Sequence, residues 1–168
     1  DPLDIEYNYY VQRICSSIGL FLDDPVFVAV DNQPITINVP DVNVNESEQF
    51  CVEFELSDFE DIVSMQYSIG WDANVLQFVS VNGFNLPGIS SSAFNYNPAT
   101  ETLLFTWNDP LTQGVSLPDG TAFTQICFDV IGTCGDNTII EIQSDPTPVE
   151  VTNLEDPGQD IGYLDGEG

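Results

Sequence analysis

The sequence predicts an all-β protein, one β-sandwich over residues 35–168 preceded by an N-terminal arm at residues 1–34. Three observations carry that reading. From about Ile35 onward, short runs of alternating apolar and polar residues recur, each closed by a turn signal. Aromatic and β-branched side chains are plentiful while Lys is absent, which favours strands over helices. Hydrophobic residues make up 42% of a 168-residue chain, enough for one domain core and unlike a disordered acidic tail.

The elements follow in chain order. Residues 1–34 hold strand-like pieces, with Ile5, Tyr7, Tyr9, Tyr10 and Val11 in one run and Val26, Phe27, Val28 and Val30 in another, but no complete core. Such an arm must pack on its own sandwich or on another molecule, and three clustered Tyr suit an interface anchor. The predicted strands are 35–39, 49–56, 64–71, 76–82, 92–97, 102–108, 123–131 and 138–143. Explicit breakers separate them, among them Asn82-Gly83, Leu86-Pro87-Gly88, Asp109-Pro110 and Pro118-Asp119-Gly120.

Strand alternation assigns faces. Phe50, Val52, Phe54 and Leu56 point one way, leaving Cys51, Glu53 and Glu55 on the other. Likewise Ile126, Phe128 and Val130 point inward and Gln125, Cys127 and Asp129 outward. Four cysteines, Cys15, Cys51, Cys127 and Cys134, allow three full pairings. If the strands of Cys51 and Cys127 are neighbours, parity lets those two sulfurs bridge.

Charge narrows function. Twenty-eight acids face one base, Arg13, for a net charge of −27. No basic surface exists to displace counterions from phosphates, so nucleic acid is excluded as a partner, and anionic lipid with it. No apolar run approaches the roughly 20 residues that would insert in a membrane. Such a surface suits salty water, divalent cations or a basic partner. Enzyme activity is not expected and no residue is assigned as catalytic. There is no His for a general base, no Lys for a Schiff base, and nothing singles out one pair of carboxylates.

No cofactor is required, Ca²⁺ being the one candidate. Oxygen ligands cluster at Asp156, Asp160, Asp165 and Glu167 in a turn-rich stretch, at spacings that do not match an EF-hand loop. Asp58, Glu60 and Asp61 form a weaker cluster. Trp71 and Trp107 could stack on sugars, but each sits in an apolar strand and reads as core or core edge. The sequon Asn45-Glu46-Ser47 lies in a loop and carries no argument. An even cysteine count without CxxC pairs or His fits disulfides in an oxidising compartment. The chain opens at Asp1 without Met or leader, so the expectation is an extracellular or cell-surface protein after signal-peptide removal.

One stretch resembles a known family. Asp61-Ile62-Val63-Ser64-Met65-Gln66-Tyr67-Ser68-Ile69-Gly70-Trp71-Asp72 runs directly into Val75-Leu76-Gln77-Phe78-Val79-Ser80-Val81. This resembles the cohesin domain, in which an aromatic-Asp pair precedes a V-L-x-F strand. The run 102–108, then Leu117-Pro118-Asp119-Gly120-Thr121 before 123–130, is similar to the family's next portion. Asn85-Leu86-Pro87-Gly88 and Asp145-Pro146-Thr147-Pro148-Val149-Glu150-Val151 resemble the cohesin-like domains of large secreted Bacteroidota proteins. The resemblance implies a nine-stranded jelly-roll sandwich whose second and seventh strands pair. It therefore implies a Cys51–Cys127 disulfide, leaving Cys15 and Cys134 for each other within or between subunits.

The resemblance also exposes a departure. The family closes with an Asn/Asp-Gly turn and a last alternating strand, whereas here Asp165-Gly166-Glu167-Gly168 is followed by none. An absent strand leaves unpaired backbone beside an apolar groove, expected between 35–39 and 138–143. The expectation is a structural subunit of an extracellular filament, joined to other copies head to tail by donation of the arm. Fold-back of the arm and truncation of the sequence are the alternatives for the groove. For function, the alternatives are a cohesin-type module for a dockerin-like partner, or a surface adhesin or carbohydrate-binding module.

Overall fold

The computed structural model describes residues 35–154 and the backbone of residues 164 and 165. The strands are β1 (Thr36–Asn38), β2 (Gln49–Ser57), β3 (Phe59–Gly70) and β4 (Leu76–Asn82), then a short 3-10 helix at Ser91–Ala93 and β5 (Phe94–Asn97). After these come β6 (Thr102–Asn108), β7 (Val115–Leu117), β8 (Thr121–Val130), β9 (Glu141–Gln143), β10 (Glu150–Asn153) and β11 (Leu164–Asp165). One sheet has the order β11-β1-β2-β8-β4. The other runs β10-β3-β6-β5, with β7 and β9 also paired to β3. The all-β sandwich reading holds, and β4 and β6 have the expected bounds.

Alternation builds the core. Val52, Phe54 and Leu56 of β2 and Phe123, Ile126 and Phe128 of β8 are buried, and across the sandwich so are Met65, Tyr67 and Ile69 of β3 with Leu103, Phe105 and Trp107 of β6. Phe105 joins the layers, its ring centroid 4.8 Å from Tyr67, 4.9 Å from Phe94 and 5.7 Å from Phe123. Ser68, Thr102, Asp109 and Thr124 are buried polar residues, and each is hydrogen-bonded. Burying such groups unpaired would cost more than their bonds return.

The differences from the sequence reading are local. β3 begins at Phe59 rather than Ser64, and β7 lies along its early part, Phe59 opposite Leu117 and Ile62 opposite Val115. Asp61 makes the irregularity between those pairs, with φ at +51°. Asp tolerates that conformation better than most residues. Gly114 packs against it with φ at +79°, and a Cβ there would stand 3.0 Å from the Asp61 Cα. Glycine is therefore required before β7. Two strands lie outside the predicted set, β10 pairing antiparallel with β3 and β11 pairing parallel with β1. β11 matches Leu164 to Thr36 and Asp165 to Ile37, so a two-residue strand stands at the sheet edge where no closing strand is expected. Among the described residues, no helix is long and apolar enough to cross a membrane.

Candidate functional site

Three surfaces come out of this architecture, and they differ in charge. On the β2–β8–β4 ladder, Glu53 lies opposite Gln125, and Cys51 opposite Cys127. Gln49 lies opposite Asp129. Each carboxylate there accepts from a neutral amide, Glu53 from Gln125 at 2.7 Å and Asp129 from Gln49 at 2.8 Å. Asn38 does the same for Glu55 at 3.1 Å. The Cys51–Cys127 disulfide is formed. Cys127 sits on the outward side of its strand yet is only 3% exposed. Asn82 covers it, donating its amide N–H to Sγ.

The outer face of the six-stranded sheet is different. Ser64 lies opposite Asn108 and Thr152, Gln66 opposite Thr106 and Glu150, and Ser68 opposite Leu104, which has Asn95 beyond it. Glu150 is the one carboxylate among these positions, and Gln66 donates to it at 2.9 Å. Ser68 is covered by Thr147, so the exposed centre of this face is the hydroxyl- and amide-lined patch of Ser64, Gln66, Thr106 and Asn108, with Glu60, Glu141 and Glu150 around it.

The third surface is a groove of about 990 Å³ between residues 37–46 and 132–142. Its floor is apolar, from Ile37, Val39, Phe50, Leu76, Val130 and Ile142. Among the described residues its lining also holds four carboxylates, Asp41, Glu46, Asp136 and Glu141, and no basic side chain. Val42 and Ile139 remain 47% and 76% exposed at its edge, more than an isolated apolar residue needs explaining for, but here they continue the apolar floor. Local hydrogen bonds hold the far wall. The Asp72 N–H donates to Thr138 Oγ1 at 2.8 Å, and the Thr133 N–H to Asp136 Oδ2 at 2.7 Å. The Cys134 N–H donates to Glu46 Oε1, tying the two walls together, and the Cys134 thiol is free and exposed. The groove lies where the sequence places it, although β9 on its far side belongs to the other sheet.

The remaining sequence candidates resolve as follows. Trp107 is buried and donates to the Pro87 carbonyl at 2.8 Å. Trp71 is half-buried at the end of β3, its ring against Phe78, Tyr96 and Phe128 and its N–H on the Leu76 carbonyl. Neither is a free sugar platform. Among the described residues, no group of His, Cys, Asp or Glu is arranged to hold a metal ion. Asp156, Asp160, Glu167 and the Asp165 side chain lie outside the described residues, as do Cys15 and the arm residues from Ile5 to Val30.

Asp109 is a residue that sequence reasoning treats only as a turn. The residue is 4% exposed, and its carboxylate accepts the backbone N–H groups of Leu111, Gln113 and Gly114. The Leu111 N–H leads in holding its pKa below the usual carboxylate value, against the opposing effect of burial. The signal available was Asp109-Pro110 followed by Thr112-Gln113-Gly114, a stretch of turn residues around a single acceptor.

A family model, the cohesin domain, matches residues 35–155. The chain belongs to the cohesin domain family. That family is one of non-enzymatic binding modules. Solved cohesins share the fold at low sequence identity. The sixth cohesin from the scaffoldin B of Acetivibrio cellulolyticus, in complex with a Cel5 dockerin mutant, is 13% identical with a TM-score of 0.63, covering 80% of this chain and 96% of that one. A cohesin of the OlpC–Doc435 complex from Clostridium thermocellum is 12% identical with a TM-score of 0.62, covering 79% and 90%. A non-cellulosomal cohesin from the archaeon Archaeoglobus fulgidus is 17% identical with a TM-score of 0.60, covering 80% and 88%. No curated protein sequence matches the chain.

Proposed function

We propose that this cohesin domain is an extracellular, non-catalytic module that docks a dockerin-like protein on the outer face of its six-stranded sheet. The observation that carries the reading is the uncharged patch where β3 meets β6 on that face, with Glu60, Glu141 and Glu150 at its margins. Ser64, Gln66, Thr106 and Asn108 present neutral donors and acceptors, while the opposite sheet keeps Glu53, Glu55 and Asp129. Charged side chains are depleted at the centres of protein interfaces, because each must be desolvated. Solved relatives in complex with dockerins support a protein partner.

The test is binding of a panel of purified dockerin modules, measured by biolayer interferometry on the full chain. At least one module should bind, and Thr106→Glu should weaken it by about tenfold or more, since a buried unpaired carboxylate costs on that order. Glu53→Gln on the other sheet should leave binding unchanged. Equal binding by wild type and Thr106→Glu would remove this face as the site.

The groove favours a second reading, in which copies join head to tail into an extracellular filament by donating residues 1–34 to a neighbour's sandwich. An apolar floor beside a strand edge is the usual acceptor for strand addition, and a contact between different surfaces propagates unless it closes into a ring. Electron microscopy of the concentrated full chain separates the readings. Filaments support it, and monodisperse particles count against it.

A further inference from the structure

The groove opens where β1 ends at Asn38. Among the described residues, β11 pairs with β1 at Thr36 and Ile37. Farther on, among the described residues, the backbone of Asp41–Val44 makes no hydrogen bond, although it borders the apolar floor. Asp41–Asn43 are exposed, so water can reach these groups, and an edge without protein partners is a template for an added strand.

We infer that the groove receives residues Ile5–Val11 of a second copy as a strand parallel to β1 and in line with β11, with Arg13 meeting Glu46 and Cys15 meeting Cys134. This rests on the head-to-tail reading above and specifies its joint. Three matches select the segment. Length and pattern come first, because Ile5, Tyr7, Tyr9 and Val11 alternate onto one face of a strand that spans Asn38–Val44. Charge comes second. With Ile5 set opposite Asn38, the last residue of β1, an extended segment runs alongside residues 39–44 and brings Arg13 toward Glu46 in the turn at 46–47. Arg13 is the chain's sole base, and the described lining of the groove holds the carboxylates Asp41, Glu46, Asp136 and Glu141. The other apolar run, Val26–Val30, is flanked by Asp23, Asp24 and Asp31 with no base, whereas Ile5–Val11 sets Arg13 against its own Asp4 and Glu6. The thiols are the third match. Cys134 is free, exposed and fastened through its N–H to Glu46, and Cys15 lies two residues past Arg13.

Oxidised glutathione tests the joint on the full chain. Each Cys15–Cys134 bond formed releases two protons and two electrons, which reduce one oxidised glutathione to two thiols. The expected product is a ladder of covalent oligomers on non-reducing gels, with Cys15 linked to Cys134 in mapped peptides. Cys15→Ser or Cys134→Ser should each abolish the ladder, while a mixture of the two variants should give a dimer and nothing larger. Arg13→Glu should slow cross-linking at least tenfold, and the Cys51–Cys127 peptide should persist throughout as the control for folding. A Cys15–Cys134 bond within one chain, or bonds between like cysteines, would overturn the joint. Sedimentation under reducing conditions separates the two levels. Association there, combined with no Cys15–Cys134 linkage in the glutathione-oxidised sample, refutes this joint while leaving head-to-tail assembly standing, and a monomer at every concentration removes both.

Discussion

Gln125 stands directly across the β2–β8 ladder from Glu53 and donates its side-chain N–H to the carboxylate at 2.7 Å. The same device recurs at Gln49–Asp129, Asn38–Glu55 and Gln66–Glu150. A neutral amide satisfies carboxylate oxygens without cancelling their charge, so the surface stays acidic while its ladders stay hydrogen-bonded.

Replacing that amide with a cation should therefore expose the electrostatic cost. Gln125→Lys is expected to raise the Tm in low salt, because it relieves repulsion as well as pairing Glu53. The gain should fade above about 0.5 M NaCl, where screening lengths drop to a few ångströms. Thermal melts at two ionic strengths check it, and a salt-independent gain would point to packing instead.

The Cys51–Cys127 disulfide closes a loop with a sequence separation of 76. Chain-entropy arguments put such a crosslink at about 4 kcal/mol, and measured values often fall lower. The Cys51→Ser, Cys127→Ser double variant should lose about 2–4 kcal/mol in urea unfolding. A loss below about 1 kcal/mol would mean that the β2–β8 pairing already restricts the unfolded chain.

Acid stability should depend on carboxylates that accept backbone N–H groups. The pKa values of Asp109, Asp72 and Glu48 are all lowered, by the Leu111, Asn74 and Asn45 backbone N–H groups first. A lowered folded pKa means that the unfolded state binds more protons between the two values. The stabilisation is then full above the unfolded values of about 4 and is lost as pH falls through the folded ones. Asp109→Asn should lower the Tm at pH 7 and flatten its fall below pH 4. An unchanged acid limb in that variant would exclude Asp109 as a contributor.

Cations should stabilise the fold by screening a net charge of −27. Sodium and calcium chlorides at equal ionic strength are expected to raise the Tm equally. An excess with calcium, removed by Asp160→Asn, would instead establish the ligand set read at Asp156, Asp160, Asp165 and Glu167.

What the sequence determined by itself was every element whose signal is local. Alternation at Phe50–Leu56 and Ile126–Val130 gives the buried faces, because side chains on a strand alternate whatever the strand's partner is. The Cys51–Cys127 bond needed one more fact, the pairing of those two strands, which the cohesin resemblance supplied and the ladder bears out. Tertiary structure alone decided β7, β10 and β11. Each is two to four residues long, and each exists because β3 or β1 offers it a ladder partner distant in sequence. The uncharged patch on the six-stranded sheet was hidden for the same reason. Ser64, Thr106 and Thr152 are unremarkable in separate strands, and only their alignment across three of them makes a surface. Asp109 is the same case at the scale of one loop, since a carboxylate becomes an organiser only when the chain folds three N–H groups toward it. A short strand or a shared face is set by non-local hydrogen bonds, and those form only after the sandwich has brought their partners together.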